Sequence, residues 1–117
     1  MKIHIETEAA SLTATLEDTD AARDFASLLP LTLTLEDHAA TEKIAYLPRK
    51  LSTAGAPRGT APRAGDIAYY APWGNLALFH EDFEFSPGLV TLGRLDGGVE
   101  ALRRAGPLPA TFERIET

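Results

Sequence analysis

The sequence predicts a mainly β fold, a closed barrel with two short helices set against its ends. Short segments in which apolar and polar residues alternate recur along the chain, a pattern that favours a barrel or a sandwich. Two segments break that rhythm with helical spacing, one early and one late, where each can plug one barrel end. Closure also removes the exposed edges that an open sheet would leave. A length of 117 residues suits one domain spanning 1–117.

The elements follow in order. "KIHIE" alternates Ile3 and Ile5 with polar neighbours, and "SLTATLE" alternates Leu12, Ala14 and Leu16. A short turn over Thr7 to Ala10 makes these a hairpin. Ala21, Ala22, Phe25, Leu28 and Leu29 then share one helical face. This predicts a helix over Thr19 to Leu29, with Asp18 or Thr19 as cap, Asp20 in the first turn and Pro30 as its stop. Phe25 and Leu28 should face the barrel interior.

"LTLTLED" returns to alternation, and "EKIAYLP" is a strand that stops at Pro48. Next comes "RKLSTAGAPRGTAPRAG", a long Gly- and Pro-rich loop, expected to be the most mobile part of the chain. Two further strands, Asp66 to Ala71 and Leu76 to His80, flank a break at Pro72-Trp73-Gly74-Asn75. "GLVTLGRL" is another strand and "GGVEALRRAGP" a short second helix ended by Gly106-Pro107. "ATFERIE" closes the chain as a strand.

Composition excludes several chemistries. There is no cysteine, so disulfides, thiolate nucleophiles and Cys-ligated zinc are out. A net charge of -6 opposes a polyphosphate partner. Arg49, Lys50, Arg58 and Arg63 form one local basic run, read as a solvated loop. No apolar run approaches the ~20 residues of a spanning helix, and the first residues lack a secretory pattern. The expectation is a soluble, cytoplasmic protein that engages neither nucleic acid nor membrane.

His4, His38 and His80 lie far apart, and His80-Glu81-Asp82 reads as a surface strand end, since successive residues point to opposite faces. No metal site or cofactor is expected. Ser86 sits in "FSPG" without a nucleophile motif or a neighbouring base, and no catalytic residue is assigned. Glu81, Asp82 and Glu84 read as a solvated hairpin tip.

The order of marks resembles the cyclophilin-like family, and in particular its small bacterial and archaeal members. The marks are the amino-terminal hairpin, a helix running into "SLLPLTLTLED", "YLP", the Gly/Pro-rich loop, "GDIAYYAPWGNLALFH" and "LGRL". The resemblance implies an eight-stranded barrel closed by two helices, with a ligand cleft on the outer face of one sheet. It also implies prolyl isomerisation, which true cyclophilins carry out with Phe-His-Arg, Gln-Gly-Gly and Gln-Phe-Phe runs. None of these is present, and the nearest stretches are Leu47-Pro48-Arg49 and Leu78-Phe79-His80.

The expectation is therefore a non-enzymatic barrel that binds a small molecule or peptide in an outer-face cleft. The residues expected to line it are Tyr46, Arg49, Tyr69, Trp73 and Phe79, with Arg49 pairing an anionic group and the aromatics stacking. Within "NLALFH", Leu76 and Leu78 belong to the core, and Ala77 and Phe79 to the outer face. One alternative is a diverged prolyl isomerase. Another is an accessory module that self-associates through a strand edge into a homo-oligomer.

Overall fold

In the computed structural model, which describes residues 1–115, the alternating segments become strands where their period places them. β1 (Lys2–Thr7) and β2 (Ser11–Leu16) form the first hairpin, with Ile3, Ile5, Leu12, Ala14 and Leu16 buried inside. The helix α1 (Asp20–Ala26) precedes β3 (Leu31–His38) and β4 (Glu42–Tyr46). A two-residue β5 (Gly59–Thr60), β6 (Asp66–Tyr70), β7 (Asn75–Phe79) and a two-residue β8 (Ser86–Pro87) follow. β9 (Leu89–Leu95) and β10 (Leu108–Arg114) complete the set.

Eight strands close antiparallel in the order β1-β10-β3-β4-β7-β6-β9-β2, while β5 and β8 pair as a separate ribbon. Every barrel strand thus has two neighbours, and the barrel itself keeps no open edge.

The helices depart from expectation in extent. Thr19 caps α1, its Oγ1 accepting the Ala22 N–H at 3.2 Å. The helix ends at Ala26, three residues short of Leu29, and beyond it the chain tightens into three-residue turns, with Leu28 N–H on Phe25 O at 3.0 Å and Leu29 N–H on Ala26 O at 3.2 Å. Phe25 is fully buried and meets Phe112 edge-on, ring centres 6.1 Å apart, while Leu28 is only partly buried against the core. The expected second helix is a 3-10 turn over Val99–Arg103. Gly98 enters it at φ 76, in the left-handed region, and offers no side chain to cap it.

Lys43 and His80 are polar side chains on the inward rows. Lys43 takes an inward position on β4 and is fully buried. Its Nζ donates to Gly106 O at 2.5 Å and pairs with Asp37 at 2.7 Å. His80, expected on the surface, is 8% exposed because it continues the inward row of Leu76 and Leu78. Burial lowers its pKa. Among the described residues no helix is long and apolar enough to cross a membrane.

The long loop is tethered rather than free. The Arg49 guanidinium makes two contacts with the Asp24 carboxylate, at 2.8 and 3.0 Å, and Ser52 N–H donates to Asp24 Oδ2 at 2.7 Å. These contacts, Arg49 first, hold the Asp24 carboxyl down to about 2. Leu51 is buried, and further on Gly59–Thr60 pairs with Ser86–Pro87.

Candidate functional site

The sheet formed by β4, β7 and β6 is apolar on both faces, and this creates the site. All five residues of β7 are buried. Leu76 and Leu78 point into the barrel, while Asn75, Ala77 and Phe79 point outward. On the outer side Ala77 sits opposite Ile44 of β4 and Ala68 of β6, and Asn75 sits opposite Tyr46 and Tyr70. Ala68, Ala77, Phe79 and Leu89 form a second buried cluster there, with Ile44 and Tyr70 packed against it.

The chain after β7 turns back beside this face. Phe83 N–H donates to Pro62 O at 3.0 Å, Ala64 N–H to Asp82 Oδ1 at 2.9 Å, and Gly88 N–H to Arg58 O at 2.8 Å. The β5–β8 ribbon locks the return, and Gly59 is needed for it. A Cβ at that position would stand 2.4 Å from Ser86 O. Gly74, at φ 73, closes the tight turn between β6 and β7, with its N–H on Tyr70 O at 2.9 Å. That turn presents Trp73, which stands edge-on to Tyr70 at 5.4 Å and to His38 at 5.7 Å between ring centres.

Between the sheet, the returning chain and this aromatic cluster lies a groove of about 320 Å³. Its floor and walls include Ile44, Tyr70, Trp73, Phe79, Phe85 and Leu89. Volume and apolar lining fall within the range of small-molecule sites.

Two polar side chains stand in this apolar surface. Asn75 is 2% exposed; its Nδ2 donates to Leu76 O at 3.1 Å, but its Oδ1 is buried without a partner. Leaving such an acceptor unpaired costs about 1–3 kcal/mol. Glu42, opposite Phe79 at the other end, is partly buried, and burial alone pushes its carboxyl up to about 7. The two positions are four residues apart along the sheet, roughly 13 Å at strand rise. Among the described residues the other ionisable groups lining the groove, besides the Tyr70 phenol, are His38 and Glu84; no lysine or arginine does so.

Of the five residues expected to line a cleft, the structure brings two together, Trp73 and Phe79. Tyr69 lies on the opposite side of the pleat, 1% exposed inside the barrel, where its hydroxyl accepts the Leu51 N–H at 3.1 Å. Tyr70, its neighbour, takes the outer position. Tyr46 shares the outer face but is 63% exposed and outside the groove lining. Arg49 is committed to Asp24 on α1 and to Ser27 just after it, and does not line the groove.

Sequence reasoning missed Ile44, Asn75 and Glu42, and one signal for them was present. Once Leu76 and Leu78 are inward, period 2 puts Asn75 outward with Phe79.

A smaller cavity of about 200 Å³ lies between the start of α1 and the loop, beside Ala21, Ala56, Pro57 and Val90. Among the described residues no group of three or more His, Asp or Glu side chains is placed to hold a metal ion.

Residues 5–113 match the model of the family described as "Cyclophilin-like family". Among solved structures, the chain is similar to the solution structure of a hypothetical protein from Archaeoglobus fulgidus. The TM-score is 0.68 and the identity 20%, covering 98% of this chain and 95% of that one. At that identity the likeness speaks to the fold alone. Comparison with curated proteins returns no match.

Proposed function

Because the chain belongs to the cyclophilin-like family, we propose that it is a ligand-binding barrel. Its outer-face groove takes a small molecule or a short peptide and releases it unchanged. The observation that carries this reading is a preformed apolar groove of about 320 Å³ between the sheet, the returning chain and the Trp73 cluster. The apolar walls supply area.

The same lining supports binding without turnover. Prolyl isomerisation crosses a barrier of ~18–20 kcal/mol, and a donor on the prolyl nitrogen is what lowers it. Arg49, in one of the two stretches nearest the family's runs, is held by Asp24 on α1, and no arginine lines the groove among the described residues. Apolar contact with the ring alone stabilises ground and transition states alike and leaves the rate unchanged. Self-association through a barrel edge finds no support either, since closure pairs each barrel strand on both sides.

Trp73 is the only tryptophan, and it is half exposed at the groove, so its emission reports on occupancy. A fragment mixture containing amides, amines and apolar acids should shift that emission and the backbone amide resonances of β7. Fragments that shift neither would overturn the binding reading. Exchange NMR on an Ala-Pro peptide with stoichiometric protein should show only the uncatalysed exchange of tens to hundreds of seconds. Faster exchange would overturn the non-enzymatic part.

A further inference from the structure

Resting on the groove reading above, we propose that the groove selects an organic ammonium, an aromatic or apolar body whose cationic head sits against the Glu42 carboxylate. Three observations converge on this. The first is the sign of the charge. Glu42 and Glu84 line the groove, against one imidazole, His38, and no lysine or arginine among the described residues. An anionic ligand would meet two carboxyls and no permanent cation.

The second is what surrounds Glu42. His38 of β3 and Phe79 of β7 are its register partners, and Glu84 lies on the returning chain. Lys43, next to it on β4, points to the other side of the sheet and is engaged by Asp37. No ion pair or side-chain hydrogen bond of Glu42 occurs among the described residues. The carboxyl therefore stands at the groove without a counterion, and an ammonium entering there supplies one.

The third is the wall chemistry. Tyr70, Trp73, Phe79, Phe83 and Phe85 present rings around the same space, and aromatic faces attract a desolvated cation. A ligand with an ammonium head and an aromatic or apolar body suits both the carboxyl and these walls. Glu42 has been raised toward neutrality by burial, so ammonium binding draws the carboxyl back to its ionised form and a proton leaves.

Three probes of matched shape test this: tyramine, 3-(4-hydroxyphenyl)propionate and 4-ethylphenol. Near pH 7, tyramine should bind at least about tenfold more tightly than the propionate. Calorimetry in buffers of different ionisation enthalpy should show proton release on binding. In Glu42→Gln the preference and the proton release should vanish while 4-ethylphenol binding persists, which also shows that the variant is folded. Equal or tighter binding of the propionate, a preference that survives Glu42→Gln, or no binding of tyramine at millimolar concentration would each overturn the proposal. If 4-ethylphenol and the propionate still shift β7 amides in those cases, the groove binds ligands but not by this charge. Silence from the whole fragment mixture would instead count against the groove itself.

Discussion

Replacing Glu42 with glutamine keeps the shape of the side chain and removes its titration, so it isolates what burial does at the groove. In the folded chain burial raises this carboxyl from the ordinary 4.5 to about 7. A folded-state value above the unfolded one means that the protonated form is favoured by folding. The stability this group contributes is complete below about pH 4.5, fades as pH rises through the window, and is gone above about pH 7. At about 1.36 kcal/mol per pH unit, the width of that window sets a ceiling of about 3 kcal/mol. Glu42 borders the open groove, where water screens its charge, so we expect on the order of 1–2 kcal/mol. The assay is urea unfolding of the wild type and Glu42→Gln at several pH values between about 4 and about 8. Other groups titrate equally in both proteins and cancel in the difference. Relative to the variant, the wild type should lose that amount of stability across the window. Parallel profiles would refute the reasoning and show that solvent reaches the carboxyl freely; a wild type that gains on the variant would mean a cation holds it.

Three other outcomes follow from the packing. Phe25→Ala removes a fully buried ring from the contact with Phe112. It should cost on the order of 3–5 kcal/mol in chemical denaturation, and an unchanged midpoint would place Phe25 outside the core. Asp24 carries a folded-state value of about 2 against an ordinary 3.8, so its contribution is present above about 3.8 and is lost as pH falls toward 2. The protection of the Ser52 amide, its exchange compared with that of a free peptide at the same pH, should fall over that interval and should already be low at neutral pH in Asp24→Ala; a Ser52 amide equally protected in both would show that the loop is held elsewhere. Gly59→Ala forces a Cβ against Ser86 O in the β5–β8 ribbon, which should cost about 1–3 kcal/mol by overpacking. The Gly88 amide, bonded to Arg58 O, should exchange faster in that variant; unchanged exchange there would show that the ribbon adjusts without loss.

Period made the barrel strands legible, and position within the fold decided the rest. Ile3, Ile5, Leu12, Ala14 and Leu16 alternate with polar neighbours, and all five are buried where the pattern puts them. The early helix was readable from Phe25 and its neighbours, but not its end. The late one was not, because "GGVEALRR" is too short and too poorly capped to hold more than a 3-10 turn. The β5–β8 ribbon left no periodic trace, since two residues show no period.

The groove was hard to read for a different reason. A strand with one solvated face declares its sides, whereas β6 and β7 are apolar on both, so alternation separates two faces without saying which is the interior. Pairing decides it: Tyr69 meets Leu76 on β7 and Val90 on β9, all in the barrel core, and that commits Tyr70 to the outside. The outer face is then covered by the chain after β7, whose "EDFEF" reads as a charged tip. Phe83 and Phe85 border the groove with Glu84 between them on its lining, while Glu81 pairs with Arg103 and Asp82 accepts the Ala64 N–H. Arg49 shows the converse. A basic residue beside a Gly- and Pro-rich loop looks free for an anion, yet a carboxylate 25 residues earlier, on the helix, takes it up completely. Removing that arginine from the ligand's reach reverses the expected sign of the site. Among the described residues the groove is lined by two carboxyls, one imidazole and a set of aromatic rings, with no lysine or arginine, which favours positive over negative charge there.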